Sequence, residues 1–309
     1  MTLIEQLSDA SCAGQPSAVA VGTFDGVHLG HQALLGTLRD AARERGLASV
    51  AVTFRQQPRS VVRPDVPVTY LCALDERLEL MRSLGLTCVI PVDFDDSVRH
   101  LYAHQFVSIL KEIVGMRLLV LGPGARMGHD QLELAQLEEL GRREGFEVLS
   151  AGPAAHSGET VSSSAVRAAL HEGRLEDAAA MLGRPFTLTG TVCHGDKRGR
   201  ELGYPTANLD ISPQAALPKD GIYATWAHVD GAKRQAATSI GVRPTFGKGG
   251  RTVEAYILDF DGDLYDKPLR LEFVTRLRDE VEFTGVGALV EQMARDVENT
   301  RETLGQQQQ

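Results

Sequence analysis

Five short apolar runs, each followed by a stretch of helical period, constrain the fold of this 309-residue chain more than any other feature. They are "AVAVG" from residue 18, "SVAVTF" from 49, "TCVIPV" from 87, "RLLVLG" from 117 and "FEVLSA" from 146. Between them apolar residues recur at helical spacing, as at Leu34, Leu35, Leu38, Ala41 and Ala42. Alternation of this kind predicts parallel strands linked by crossover helices, a Rossmann-like α/β sheet. Near residue 185 the rhythm shortens. "FTLTGTVCHG", "GIYATWAHV", "RQAATSIG", "VEAYILDF" and "LRLEFVTRLR" read as strands set apart by Gly, Pro and Asp clusters, with one helix from about Val286 to Thr300. That spacing predicts a small antiparallel β-barrel. The change falls in "MLGRPF", which gives domains over 1–183 and 184–304, and the closing "GQQQQ" (305–309) reads as a disordered tail.

Composition then narrows the partners. The chain is 43% hydrophobic, enough for a sizeable core, and its 32 Lys and Arg against 41 Asp and Glu leave a net charge of -9. Neither nucleic acid nor an anionic membrane is expected as a partner, whereas anionic small molecules fit a local cationic pocket. Self-association into a homo-oligomer stays open. Cys12, Cys72, Cys88 and Cys193 follow no metal or disulfide spacing and read as reduced thiols. With no leader-like start and no run approaching the roughly 18 apolar residues of a membrane span, the expected location is the cytoplasm.

The stretch "VGTFDGVHLGHQALL" joins the first strand to a helix ending at Gly46. Gly22 and Gly26 allow close backbone approach to a ligand, and the free N–H groups of the first helical turn attract an anion. His28 and His31 flank that turn and can donate to phosphate oxygens. The pattern GxxxxGK[ST] of the usual phosphate loop is absent. "GTFDGVHLGH" resembles the signature of nucleotidyltransferases that join a phosphate to the α-phosphorus of ATP, and "VSSSAVRAAL" resembles their second motif. The resemblance implies an in-line displacement of pyrophosphate with no covalent intermediate. It extends nucleotide binding to Phe24 and Asp25, gives His28 and His31 the charge on the α-phosphate, and gives Ser162, Ser163, Ser164 and Arg167 the departing phosphates. Read alone, "SSSAVR" is an ordinary capped helix start.

A second signal lies in "GTVCHGDKRGRELGYPTANL", residues 190–209. A Gly-rich basic turn bearing Gly195, Lys197, Gly199 and Arg200 can cradle polyphosphate. Thr206 and Asn208, two apart after Pro205, face one side of an extended strand, where their oxygens could meet one magnesium ion. Together with "GIYATW", "SIGVRPTFG" and "VEAYILDFDGDLYDKPLRLEFVTRLRDE", in that order, the segment resembles riboflavin kinase. The two resemblances, in this order on one chain, match the bacterial bifunctional riboflavin kinase and FAD synthetase family. Its activities would be phosphorylation of riboflavin to FMN by the barrel and adenylylation of FMN to FAD by the first domain, with ATP as co-substrate of both and Mg2+ as cofactor. Glu254 matches the general base of the kinase. Arg278 and Phe283, in "RLRDEVEF", match its flavin-covering loop, and Phe54 and Pro58 match flavin contacts of the first domain.

Two departures bear on that first domain. Where the family carries an acidic residue and prolines after its second strand, this chain reads "TFRQQPRSV", with Arg55 and Gln56. Where the family carries a polar and an aromatic residue after the fourth strand, it reads "GPGARMGHDQLEL", with Gly124 and Ala125. Both lie at strand ends that line one crevice. An alternative reading therefore stands beside the first: a riboflavin kinase whose first domain is a degenerate nucleotide-binding or assembly module, with the crevice filled by side chains. Asp266 stands where glycine is usual after "LY".

Overall fold

The first apolar run forms β1 (Ser17–Gly22), the middle strand of a five-stranded parallel sheet in the computed structural model, which describes residues 1–156, 158–195, 198–242 and 250–306. With β2 (Ala48–Phe54), β3 (Cys88–Val92), β4 (Met116–Leu121) and β5 (Glu147–Ser150) the order is β3-β2-β1-β4-β5. All five apolar runs are strands, and every pairing between them is parallel. Their alternate residues feed two cores. Val19, Val50 and Val52 pack with Phe106, Val107 and Leu110 of α6 (Ala103–Ile113), whereas Ala18, Ala20 and Ala51 pack with Leu34, Leu35 and Leu38 of α2 (Leu29–Glu44). Each buried aliphatic side chain contributes about 1.5–3 kcal/mol, so the doubly covered sheet is what the apolar runs stabilise.

The remaining elements of this unit are α1 (Leu3–Ser8), α3 (Pro58–Val62), α4 (Leu74–Ser83), α5 (Asp96–Arg99), α7 (Leu134–Glu144) and a hairpin of β6 (Ala155–His156) with β7 (Glu159–Thr160). Strand order reverses at β1, whose neighbours are β2 and β4, and the carboxyl ends of these strands open the crevice where such sheets take ligands. One expectation is corrected. Cys12 and Cys88 are not separate thiols but a disulfide with Cα atoms 6.3 Å apart, because α1 packs on β3 and brings together residues 76 apart in sequence. Cys72 and Cys193 are free.

The chain divides into two compact units, Met1–Ser163 and Ser164–Gln309. The second contains α8 (Ser163–Glu172) beyond its first residue and α9 (Leu175–Leu182), which packs on the strands β8 (Phe186–Cys193) and β13 (Pro268–Arg278). With β9 (Thr206–Asp210), β10 (Gly221–Val229), β11 (Ala232–Val242) and β12 (Arg251–Ile257) these strands close a barrel in the order β10-β11-β12-β9-β8-β13. Every pairing is antiparallel, and closure leaves no free edge. A short α10 (Arg198–Glu201) precedes β9. Trp226 packs with Ala224 and Leu304 where α11 (Val286–Gly305) lies against the barrel. Buried Leu304 extends that helix past Thr300 to Gly305, the first residue read as tail, while 307–309 lie outside the described residues. Asp266 has φ of 61°, a left-handed conformation that glycine adopts freely and that Asp tolerates.

Candidate active sites

The turn between β1 and α2 is built from left-handed residues. Phe24, Gly26 and Val27 have φ of 51°, 77° and 41°, and for a β-branched residue such as Val27 this is a strained conformation. It is held by burial of Val27 and by Gln32, whose Nε2 donates to the Val27 carbonyl at 2.9 Å. The turn ends with His28 as N-cap of α2, its Nδ1 accepting from the His31 N–H at 3.4 Å. With Nδ1 used as acceptor, a neutral His28 carries its proton on Nε2. The two rings stack with centroids 3.7 Å apart, and Phe24 meets His31 edge-on at 5.3 Å. Burial, then His28, then Arg77 hold the His31 imidazole well below the usual histidine range, so it is neutral at pH 7.

Other residues of the motif hold the turn. Phe24 is buried over Gly22, where a Cβ would come within 3.2 Å of its ring. The buried Asp25 carboxylate accepts from Leu71 N at 2.9 Å and from Gln57 Nε2 at 3.4 Å. Ser163 Oγ donates to the Asp25 carbonyl at 3.0 Å, which brings the second motif to the first, and Ser162 is half-buried beside it in sequence. Ser164 is exposed and Arg167 half-buried on α8, both in the second unit. Sequence reasoning missed Arg77 on α4. Only 1% exposed, it donates from Nη1 to the Thr23 carbonyl at 2.7 Å and from Nη2 to the Arg55 carbonyl at 2.9 Å, pinning the ends of β1 and β2.

Beyond those strand ends the crevice is open. A cavity of about 750 Å³ is lined by Gly22, Thr23, Phe54, Pro58, Phe94 and Arg126, among others. A second, of about 380 Å³, is lined by Gly122, Gly124, Ala125 and Ser150 at the ends of β4 and β5. The departures at Arg55 and Gln56 do not fill it: Arg55 pairs with Asp93 at 3.5 Å, and Gln56 donates to the Phe94 carbonyl at 3.2 Å.

In the barrel, register assembles the residues. Glu254 on β12 lies opposite Asn208 on β9 and opposite Ser239 on β11, and Thr206 shares the face of Asn208. Thr206 Oγ1 donates to Glu254 Oε2 at 3.4 Å, and Asn208 Nδ2 to the Thr206 carbonyl at 3.5 Å. Gly195 lies against Asn208 so closely that a Cβ would come within 2.5–2.7 Å of its amide, and a Cβ on Gly199 would strike the Tyr204 carbonyl. Pro205 leads directly into β9, and Arg200 is exposed on α10. Lys197 and the "RPTFG" segment lie outside the described residues. A cavity of about 320 Å³ takes in Thr206, Glu254, Arg278, Glu280 and Phe283. Arg278 is held by Asp296 of α11, a partner not evident in the sequence, through Nε to Oδ1 at 2.8 Å and Nη2 to Oδ2 at 2.6 Å. Glu280 was missed as well; partial burial, with Asp220 and Glu254 nearby, pushes its carboxyl up.

A histidine-capped helix at the mouth of a parallel sheet and a carboxylate opposite a Thr/Asn strand of the barrel suit a transferase of phosphorus-containing groups. Residues 11–165 match the FAD synthetase family, and residues 182–304 match the riboflavin kinase family. A bifunctional riboflavin kinase/FMN adenylyltransferase of Pseudomonas fluorescens is 36% identical over 304 residues, covering 97% of each chain. One of Listeria monocytogenes is 35% identical over 290 residues, covering 92% of this chain and 91% of the relative. A crystal structure titled as a macrolide-efflux protein from Streptococcus pneumoniae has a TM-score of 0.87 and 30% identity, covering 96% of both chains. The chain belongs to the bifunctional riboflavin kinase/FMN adenylyltransferase family: with ATP it phosphorylates riboflavin to FMN and adenylylates FMN to FAD. The reading as a kinase with a degenerate first domain is not favoured.

Proposed function

We propose that the two transfers run at two separate centres, adenylylation within residues 1–183 and phosphorylation within 184–304. The observation that carries the barrel centre is the placement of Glu254 opposite Asn208 with Thr206 Oγ1 on its carboxylate. Glu254 orients the 5'-hydroxyl of riboflavin and accepts its proton as the oxygen attacks the γ-phosphorus and ADP leaves. Phe283 and the Asp296-anchored Arg278 flank the isoalloxazine, and nucleotide binding falls to Gly195, Lys197, Gly199, Arg200 and Pro205. Two neutral oxygens beside one carboxylate suit a hard ion that keeps several waters, so Thr206 and Asn208 would hold Mg2+. When bound, it neutralises charge on the ATP phosphates. Glu254→Gln keeps the shape of the site and removes the proton acceptor. FMN formation should fall by orders of magnitude with riboflavin binding kept, and near-normal turnover would refute this base.

At the first centre the FMN phosphate attacks the α-phosphorus of ATP and pyrophosphate departs. His28 and His31 donate to the α-phosphate oxygens at the helix start, where free N–H groups also point. Ser162 and Ser163 take the departing phosphates, and Gly22, Phe24, Asp25 and Gly26 shape the turn. Phe54 and Pro58 line the flavin's cavity. Use of ATP in both steps supports a cytoplasmic location, although the paired Cys12 and Cys88 withdraw the thiol argument for it. Among the described residues no helix is long and apolar enough to cross a membrane.

A further inference from the structure

We infer that Arg59 and Arg63 of the α3 turn recognise the phosphate of FMN and so decide which flavin the first cavity accepts. The inference rests on the placement of the flavin against Phe54 and Pro58 given above. Both arginines line that cavity, and both are exposed. They stand one helical turn apart, the Arg63 N–H donating to the Arg59 carbonyl at 2.9 Å. The other two arginines of the cavity wall are each held by a carboxylate, Arg99 by Asp96 at 3.5 Å and Arg126 by Glu133 at 2.8 Å. Among the described residues Arg59 and Arg63 have no such ion pair.

Like charges one turn apart destabilise a helix, and α3 buries no residue that would compensate. An anion between the two guanidinium groups would remove that repulsion. Riboflavin and FMN carry the same ring, and Phe54, Phe94 and Leu121 offer it an apolar wall. They differ in one group, the phosphate, which bears about -1.5 to -2 charges at pH 7 and suits paired guanidinium forks. The cavity also reaches Gly22 and Thr23, at the turn where the triphosphate is to be bound. Two arginines there would offset the repulsion between the attacking phosphate and the nucleotide.

The test is FAD formation from FMN and ATP by the full chain, with 5'-deoxyriboflavin as competitor because it has no hydroxyl for the kinase to phosphorylate. In Arg59→Gln/Arg63→Gln the KM for FMN should rise about 10–100-fold and lose its dependence on salt, while the inhibition constant of 5'-deoxyriboflavin stays within about twofold. Arg59→Lys/Arg63→Lys should recover part of the loss. FMN formation from riboflavin, on the other unit, should be unaltered in both proteins, and an unchanged kcat for FAD formation at saturating FMN reports that the first unit is folded. An unchanged KM for FMN would overturn the inference, and so would an equal rise for FMN and 5'-deoxyriboflavin, which would make the arginines supports of the ring. Phe54→Leu tests the placement separately: both flavins should weaken together, and no change in either would overturn the placement.

Discussion

Asp296→Asn should loosen the riboflavin kinase centre from a position outside its chemistry. The Asp296 side chain is 6% exposed and that of Arg278 21%, and their bidentate pair spans 2.8 and 2.6 Å. Gln292 Nε2 adds a third donor to Oδ1 at 3.0 Å, and Thr300 Oγ1 donates to the Asp296 carbonyl at 2.7 Å. Replacing one oxygen by NH2 points a donor at a donor and leaves the guanidinium without its counter-charge. Breaking a fully buried pair costs about 3–5 kcal/mol, and the part-exposed Arg278 reduces this to about 2–3 kcal/mol. Trp226 is the single tryptophan and lies in the barrel against α11, so its fluorescence in urea reads the unfolding of that unit. A loss of about 2–3 kcal/mol is expected there. Arg278 also lines the cavity beside Glu254 proposed to take the flavin, so the KM for riboflavin should rise about tenfold while FAD formation from FMN is unchanged. A destabilisation below about 0.5 kcal/mol with an unaltered KM would refute the anchoring role.

Gly195→Ala places a Cβ within 2.5–2.7 Å of the Asn208 amide, which must swing away; kinase kcat should drop about 100-fold with little change in stability, and steady-state rates of both reactions check this. Because burial and the neighbouring His28 and Arg77 depress the folded His31 pKa, the unfolded state binds the extra proton. The His31 contribution to stability is therefore full above its unfolded value of about 6.5 and is lost as pH falls through the folded value, by up to about 1.4 kcal/mol per pH unit. Urea unfolding followed by circular dichroism at descending pH should show a smaller acid loss in His31→Asn, and an identical loss would refute a neutral His31.

What could be read in the sequence was whatever local spacing encodes. Val50 and Val52 face one core and Ala51 the other, so β2 is apolar on both faces at its centre, and that run was visible. Thr206 and Asn208 share a face because strands repeat every two residues. The residues that hold the sites were invisible, since their partners are distant in the chain. Arg77 reaches Thr23 across 54 positions, Arg278 reaches Asp296 across 18, and Cys12 meets Cys88 across 76. Whether Arg55 would fill the crevice could not be read either, because its direction depends on Asp93 beyond β3. Val27 offers no local cue to its left-handed backbone, which the burial of its side chain and the bond from Gln32 maintain.

If one chain carries two independent centres, His28→Ala/His31→Ala supplied with riboflavin, ATP and magnesium should lose one product and keep the other. Removing two donors aimed at the developing charge should slow AMP transfer by about 100-fold or more. Chromatography should then show FMN accumulating at the wild-type rate with FAD nearly absent. Loss of FMN formation as well, in a protein with a normal Trp226 unfolding curve, would mean that the two reactions share one centre.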